Sequence, residues 1–121
     1  MLSVVDCFLS GRNMGKAQRT KGAAGERELC HILSNELGEA VRRNLSQSRD
    51  GGCDIAVGGY RVEVKRRAKI GNLYEWMNQA EASCAGSSAR PVVVCRADGK
   101  GWLAVLPLAD WLRLAREDLA Q

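Results

Sequence analysis

The spacing of hydrophobic residues predicts eight elements in the order helix, strand, strand, strand, helix, strand, strand, helix. Leu29, Leu33 and Leu37 recur at helical spacing, and Gly38 is a favourable stop signal. Residues 91–95 form a continuous apolar run, which predicts a strand buried on both faces and parallel to a neighbour. The predicted helices span residues 22–38, 73–85 and 107 onward, and Asn72 is the predicted N-cap of the second helix. The predicted strands lie in residues 40–46, 53–66, 91–95 and 102–106, and residues 53–66 form a hairpin of two strands. This order indicates an α/β domain with a central mixed sheet flanked by helices.

The hairpin at residues 53–66 places two acidic residues opposite each other. Gly58 and Gly59 separate two runs rich in β-branched residues, a pattern that predicts a two-residue turn. Counting outward from this turn pairs Asp54 with Glu63, whereas a shift of one residue would put them on opposite faces. Because like charges directly opposite each other are destabilising, the facing carboxylates indicate a bound cation.

Lys65 shares the predicted face of Asp54 and Glu63, since side chains alternate along a strand. Carboxylates are hard oxygen ligands that suit Mg²⁺ or Mn²⁺, and a lysine beside them can orient a water or stabilise negative charge. The alternative is a solvated strand face on which Lys65 compensates Glu63 and Arg61 compensates Asp54. Glu26 is a further candidate because it lies on the apolar stripe of the first helix, although favourable interaction with the helix dipole also accounts for it.

Length, cysteine content and charge narrow the class of protein. A chain of 121 residues suits one domain, and we expect residues 1–15 to be an accessory extension and residues 16–121 to fold together. The apolar stretch at the N-terminus is short and interrupted by Asp6, which argues against its being a signal peptide. Five cysteines without ligand-like spacing argue against a disulfide framework or a zinc site and favour a reducing compartment, so we expect a cytoplasmic protein. We expect no membrane span, because no apolar segment approaches the length that one requires. Residues 1–70 carry 13 basic and 8 acidic side chains, which indicates a polyanionic partner, although an ordinary solvated surface accounts for this modest charge equally well.

Three segments resemble the PD-(D/E)xK nuclease superfamily, more specifically archaeal-type Holliday junction resolvases and small related nucleases of phages and bacteria. Residues 21–28 (Lys-Gly-Ala-Ala-Gly-Glu-Arg-Glu) open the first helix. Residues 49–55 (Arg-Asp-Gly-Gly-Cys-Asp-Ile) enter the second strand, with Cys53 in place of the motif's proline, and residues 63–65 (Glu-Val-Lys) lie in the third. The resemblance covers about residues 16–112 and implies a restriction-endonuclease-like αβββαβ core.

The resemblance also implies an activity and a set of functional residues. It implies a homodimeric, Mg²⁺-dependent endonuclease, with Mn²⁺ as a substitute, that hydrolyses phosphodiester bonds of branched DNA during recombination or repair. Glu26, Asp54 and Glu63 would bind the metal together with the Val64 carbonyl, Lys65 would serve the attacking water, and Gln79 is an accessory candidate. A related nuclease for duplex, flap or single-stranded DNA, and a non-catalytic DNA-binding module of the same fold, are the alternatives.

The candidate DNA contacts are basic residues around these segments, supplemented by two serines that can donate to phosphates. They are Lys16, Arg19, Lys21, Arg27, Arg42, Arg43, Ser46, Ser48, Arg49, Arg66, Arg67 and Lys69. Arg49 and Arg66 are favoured because they flank the acidic motif. The C-terminal strand and helix, with Trp111, are the candidate dimer surface.

Overall fold

The computed structural model describes residues 12–38, 41–43 and 54–121, and the side chains of residues 21–38, 41 and 54–121. Its helices are α1 (Arg12–Leu37), α2 (Leu73–Ala82) and α3 (Leu108–Leu119), and its strands are β1 (Arg42–Arg43), β2 (Ile55–Val57), β3 (Tyr60–Arg67), β4 (Arg90–Ala97) and β5 (Leu103–Val105). These described elements follow the predicted order along the chain.

The strands of the described residues form one sheet in the spatial order β1-β2-β3-β4-β5. The pairs β1–β2, β2–β3 and β4–β5 are antiparallel, whereas β3 and β4 run parallel. Parallel neighbours need a crossover connection, and α2 supplies it here. The mixed sheet with flanking helices confirms the predicted restriction-endonuclease-like α/β fold.

The hairpin between β2 and β3 has the predicted register. Val57 pairs with Tyr60 and Ile55 with Val62, so Gly58 and Gly59 form the two-residue turn. Gly58 adopts φ +53°, a left-handed conformation that glycine reaches without steric cost. The register fixes which residues of β3 face each side of the sheet.

The two faces of the sheet pack against different helices. On one face the buried residues are Leu29 of α1 with Ile55, Val62, Val64 and Val92; on the other they are Trp76 and Ala80 of α2 with Val93 and Cys95. Alternation along β3 places Val62 and Val64 towards α1, and therefore Glu63 and Lys65 towards α2. The candidate acidic residue and lysine thus share the α2 face.

The first helix is longer than predicted. It begins at Arg12, before the predicted start at residue 22, and the boundary predicted after residue 15 falls inside α1. Residues 12–21 are mostly basic and polar, which weakens the periodic apolar signal on which the prediction relied. The proposed division into an extension and a domain remains a prediction. Within the described ranges, no helix is both long enough and apolar enough to cross a membrane.

Candidate nuclease site

Asp54 lies at the entrance to β2, where the regular strand pairing stops. Its backbone N–H donates to Val62 O at 3.2 Å, and its Oδ2 accepts from the backbone N–H of Val64 at 2.7 Å. The ladder ends at Ile55–Val62, so the regular Asp54–Glu63 backbone pair expected from counting is not formed. The carboxylate instead takes the position of a backbone acceptor for β3. This bond holds the carboxylate of Asp54 in place near Glu63. Asp54 itself is only 3% exposed.

Glu63 and Lys65 point to the same face of β3, as the alternation predicted. Lys65 Nζ lies 3.3 Å from Glu63 Oε2, and the two side chains are 11% and 12% exposed. The ammonium also lies 6.0 Å from the ring centroid of Trp76, which is buried on α2. A cation near an aromatic face is held electrostatically, so Trp76 limits where the lysine can go.

The pKa values of both carboxyl groups are raised. Burial, and after it the negative charge of Glu63, raise the pKa of Asp54 to about 7 against the opposing hydrogen bond from the Val64 N–H. Burial also raises the pKa of Glu63, and Lys65 opposes this shift. The negative charge of Glu26 raises the pKa of both groups. Desolvation disfavours the charged form of a carboxyl group, so both carboxylates are held at a cost in this site.

Glu26 lies near enough to this site to raise the pKa of Asp54 and Glu63, and its helix α1 packs closely against β3. Its neighbour Gly25 is buried, and a Cβ added there would lie 2.7 Å from Cβ and 3.1 Å from Cγ of Arg66. Real Cβ atoms essentially never lie within 3.0 Å of a heavy atom from outside their own stretch of chain. The Cβ of Arg66 is at the base of its side chain, so it cannot move aside without moving the backbone. The absence of a side chain at Gly25 therefore sets the distance between α1 and β3, and with it the position of Glu26.

Replacing Gly25 with alanine is expected to displace α1 and reduce cleavage, because overpacking a tight contact costs about 1–3 kcal/mol. Gly22→Ala is the matched control, since a Cβ at Gly22 has nothing within 4 Å. Alanine there is expected to stabilise the helix by about 0.5–1 kcal/mol. Urea unfolding and cleavage rates of the two variants measure the difference, and equal effects of both substitutions would contradict this role of Gly25.

The sequence matches the model of a known family. The model of a family described as phage putative PDDEXK endonuclease matches residues 17–120. The chain belongs to this family. Searches of curated proteins and of solved structures find no match. Membership confirms the predicted PD-(D/E)xK superfamily, whereas the resemblance to Holliday junction resolvases stays a prediction.

The donor chemistry of the PDDEXK site fits a divalent cation. Asp54, Glu63 and Glu26 offer carboxylate oxygens, which suit Mg²⁺ and Mn²⁺ better than softer metals. The pKa values of Asp54 and Glu63 are raised chiefly by burial and secondarily by neighbouring acidic groups, and a bound cation would oppose both shifts. Within the described ranges, however, no three His, Cys, Asp or Glu side chains are already grouped closely enough to hold a metal. Glu63 is turned towards Lys65, so metal binding requires side-chain movement.

The Val64 carbonyl is directed to the same side as Asp54. The N–H and C=O of one strand residue point the same way, and the Val64 N–H points to the Asp54 carboxylate. This direction is compatible with the predicted role of the carbonyl as a metal ligand.

The structure gives the predicted DNA contacts different surroundings. Lys21 and Arg66 both form ion pairs with Asp98, so neither is an unpaired cation. Arg67 lies 5.9 Å from the Trp76 ring and close enough to Glu63 to lower its pKa. The exposed candidates are Arg27, Lys69 and the accessory residue Gln79. DNA contact by all of these residues remains a prediction.

The other candidate DNA contacts lie in α1, in β1 or outside the described residues. Lys16 and Arg19 belong to α1, and Arg42 and Arg43 form β1. Ser46, Ser48 and Arg49 lie outside the described residues. The prediction that Arg49 contacts DNA therefore stands without a structural comparison.

Two residues of the site region were missed by sequence reasoning. Asp98 was not among the predicted candidates, although it binds Lys21 and Arg66. Trp76 was not among them either, although it packs beside Lys65. Both contacts join different elements of the fold, and no local pattern encodes them.

Proposed function

We propose that this PDDEXK-family protein is a divalent-metal-dependent DNA endonuclease that acts on branched DNA. The observation that carries the proposal is the pair of buried Asp54 and largely buried Glu63, with raised pKa values and Lys65 at 3.3 Å from Glu63. Such a pair is costly to bury without compensation, and perturbed carboxyl groups beside a lysine are typical of catalytic sites.

Asp54, Glu63 and Glu26, with the Val64 carbonyl, are the proposed ligands of Mg²⁺, for which Mn²⁺ substitutes. A bound divalent cation would polarise the scissile phosphate and lower the pKa of a coordinated water. The Val64 N–H holds Asp54 Oδ2, which fixes the orientation of the carboxylate. Gly25 sets the approach of α1, which positions Glu26.

Lys65 is the proposed partner of the attacking water. In the protein alone it is paired with Glu63 and packed beside Trp76. With Glu63 holding a metal, the ammonium of Lys65 would stay on the same face of β3, where it could hydrogen-bond a water and stabilise negative charge on the phosphate. Arg67, two residues further along that face, adds a second positive charge.

Branched DNA is the proposed substrate, and a homodimer is the proposed active form. The support is the resemblance of residues 21–28, 49–55 and 63–65 to resolvase-like nucleases. Two symmetric cuts suit a four-way junction, and a two-fold dimer is the commonest oligomer. The described exposed hydrophobic residues of the C-terminal segment include Leu103, Leu108 and Trp111, which is compatible with a subunit interface there.

The test is a cleavage panel with Mg²⁺ that compares a four-way junction, a flap, a single strand and a plain duplex of the same sequence. We expect the junction to be cut fastest, leaving 5′-phosphate and 3′-hydroxyl ends. Equal or faster cutting of plain duplex would contradict the resolvase-like assignment and favour a related nuclease. No cleavage of any DNA by the folded protein would favour the non-catalytic DNA-binding module.

A further inference from the structure

Asp98 is the meeting point of two basic side chains from different elements. It opens the turn between β4 and β5, and Lys21 Nζ of α1 lies 3.3 Å from its Oδ1 and 3.2 Å from its Oδ2. Arg66 Nη1 of β3 donates to the same Oδ1. The two cations therefore converge on a single carboxylate, and the group of three carries a net positive charge.

The fold holds this group in place. The Cβ and Cγ of Arg66 lie against Gly25, and its Nη1 also donates to Arg67 O at 3.1 Å. The backbone N–H of Asp98 donates to Ala68 O at 3.3 Å, which ties the turn to the end of β3. Arg66 and Asp98 are therefore positioned by backbone packing, and their side chains are not simply paired by chance on a flexible surface.

The ion pair between Lys21 and Asp98 is open to solvent. The side chain of Asp98 is 50% exposed and that of Lys21 is 33% exposed, whereas that of Arg66 is 17% exposed. An ion pair as exposed as Lys21–Asp98 contributes only about 0–1 kcal/mol, and salt screens it. A polyanion gains additional free energy from the counterions that it releases, so it can displace such a carboxylate.

The chemistry of the two cations suits a phosphate. Guanidinium groups bind phosphate oxygens through parallel N–H donors, and an ammonium group adds a point charge. Arg66 directly follows Lys65 in β3 but faces α1 on the opposite side of the sheet, so a phosphate held by Arg66 is distinct from one held beside Lys65. Lys21 precedes Glu26 by five residues, which is about 7.5 Å along α1.

We propose that Lys21 and Arg66 form a subsite for a DNA backbone phosphate other than the one cut, and that Asp98 occupies it as an internal competitor in the absence of DNA. This inference rests on the proposed action on DNA. Asp98 has two consequences: it keeps the two cations together before DNA arrives, and it lowers the affinity of the free protein for DNA.

The first test compares Asp98→Asn with Asp118→Asn, which makes the same chemical change at an exposed position of α3. Binding of a labelled duplex and a labelled four-way junction is followed by fluorescence anisotropy in EDTA. We expect Asp98→Asn to tighten binding about fivefold, corresponding to one weak ion pair, and Asp118→Asn less than twofold. Affinity of Asp98→Asn should also fall more steeply with salt.

The second test measures coupling between Asp98 and Lys21. Lys21→Gln is introduced into the native protein and into Asp98→Asn. We expect it to weaken binding more in the Asp98→Asn background, because only there is Lys21 released from its internal partner. Asp98→Ala, which leaves no amide to replace the carboxylate, is the second variant if Asp98→Asn does not fold.

Either of two results would overturn the inference. One is equal tightening by Asp98→Asn and Asp118→Asn, which would make the effect one of net charge. The other is an equal cost of Lys21→Gln in both backgrounds, which would make Asp98 a tie between α1 and the sheet. Because binding is measured in EDTA, these results are independent of the cleavage panel. If the protein cuts DNA but Asp98→Asn has no specific effect on binding, only the phosphate subsite is refuted. If Asp98→Asn tightens binding as expected but the protein cuts no DNA, only the nuclease activity is refuted.

Discussion

Replacing Lys65 with methionine is expected to lower the rate of DNA cleavage about 10²- to 10³-fold with little change in metal binding. A positioned proton-transfer group or a donor to the developing charge contributes on this scale. Methionine is chosen because its unbranched side chain retains packing beside Trp76, from which Lys65 Nζ lies 6.0 Å. Single-turnover cleavage in Mg²⁺ measures the chemical step directly.

Lys100→Met is the matched control, because Lys100 is an exposed lysine in the turn between β4 and β5. We expect its cleavage rate to remain within about threefold of the native rate, as for most surface substitutions. A native rate for folded Lys65→Met would remove Lys65 from the catalytic mechanism. An equal loss in both variants would attribute the effect to overall charge.

Replacing Asp54 with asparagine is expected to stabilise the metal-free protein above neutral pH while it abolishes cleavage. Asparagine keeps an oxygen that can accept the Val64 N–H, but it removes the buried negative charge. The gain is bounded by the pKa shift of Asp54, from 3.8 to about 7, which corresponds to up to about 4 kcal/mol. A catalytic residue that destabilises its own fold is typical of a functional site.

The pH dependence has a defined sign. Because the folded state of the native protein holds the Asp54 proton more tightly than the unfolded state, this group favours folding most at low pH. Its contribution to the free energy of unfolding falls as the pH rises from about 4 to about 7 and then stays constant. Asp54→Asn lacks this dependence, so the stability difference between variant and native protein should grow over that interval.

Urea unfolding in EDTA at several pH values measures this difference, with Asp118→Asn as the control for loss of an exposed carboxylate. An Asp54→Asn variant that is less stable than the native protein at pH 8 would refute the buried-charge account. Mn²⁺ should raise the melting temperature of the native protein but not of Asp54→Asn, because ligand binding to the folded state stabilises it.

The sequence predicted the features that depend on local patterns. Alternation and the glycine pair at Gly58 and Gly59 were sufficient for the β2–β3 register, and hence for the common face of Glu63 and Lys65. The parallel pairing of β3 and β4 followed from a continuous apolar run and an intervening helix. Asn72 caps α2 as predicted, with Oδ1 accepting from two backbone N–H groups.

Other features depend on contacts that sequence patterns do not contain. Asp54 leaves the regular ladder because its carboxylate bonds to Val64, a competition between side chain and backbone that counting does not reveal. Gly25 controls the approach of α1 to β3 across 41 residues of sequence, and Asp98 meets Lys21 across 77. Such approaches follow only from the packed fold.

The central claim is that Asp54 and its neighbours form a metal-dependent cleavage centre. The most direct measurement is a time course of four-way-junction cleavage by native protein and Asp54→Asn, each in Mg²⁺ and in EDTA. The expected result is cleavage by the native protein in Mg²⁺ and no detectable cleavage in the other three reactions. Cleavage by native protein in EDTA, or by Asp54→Asn at the native rate, would contradict the claim.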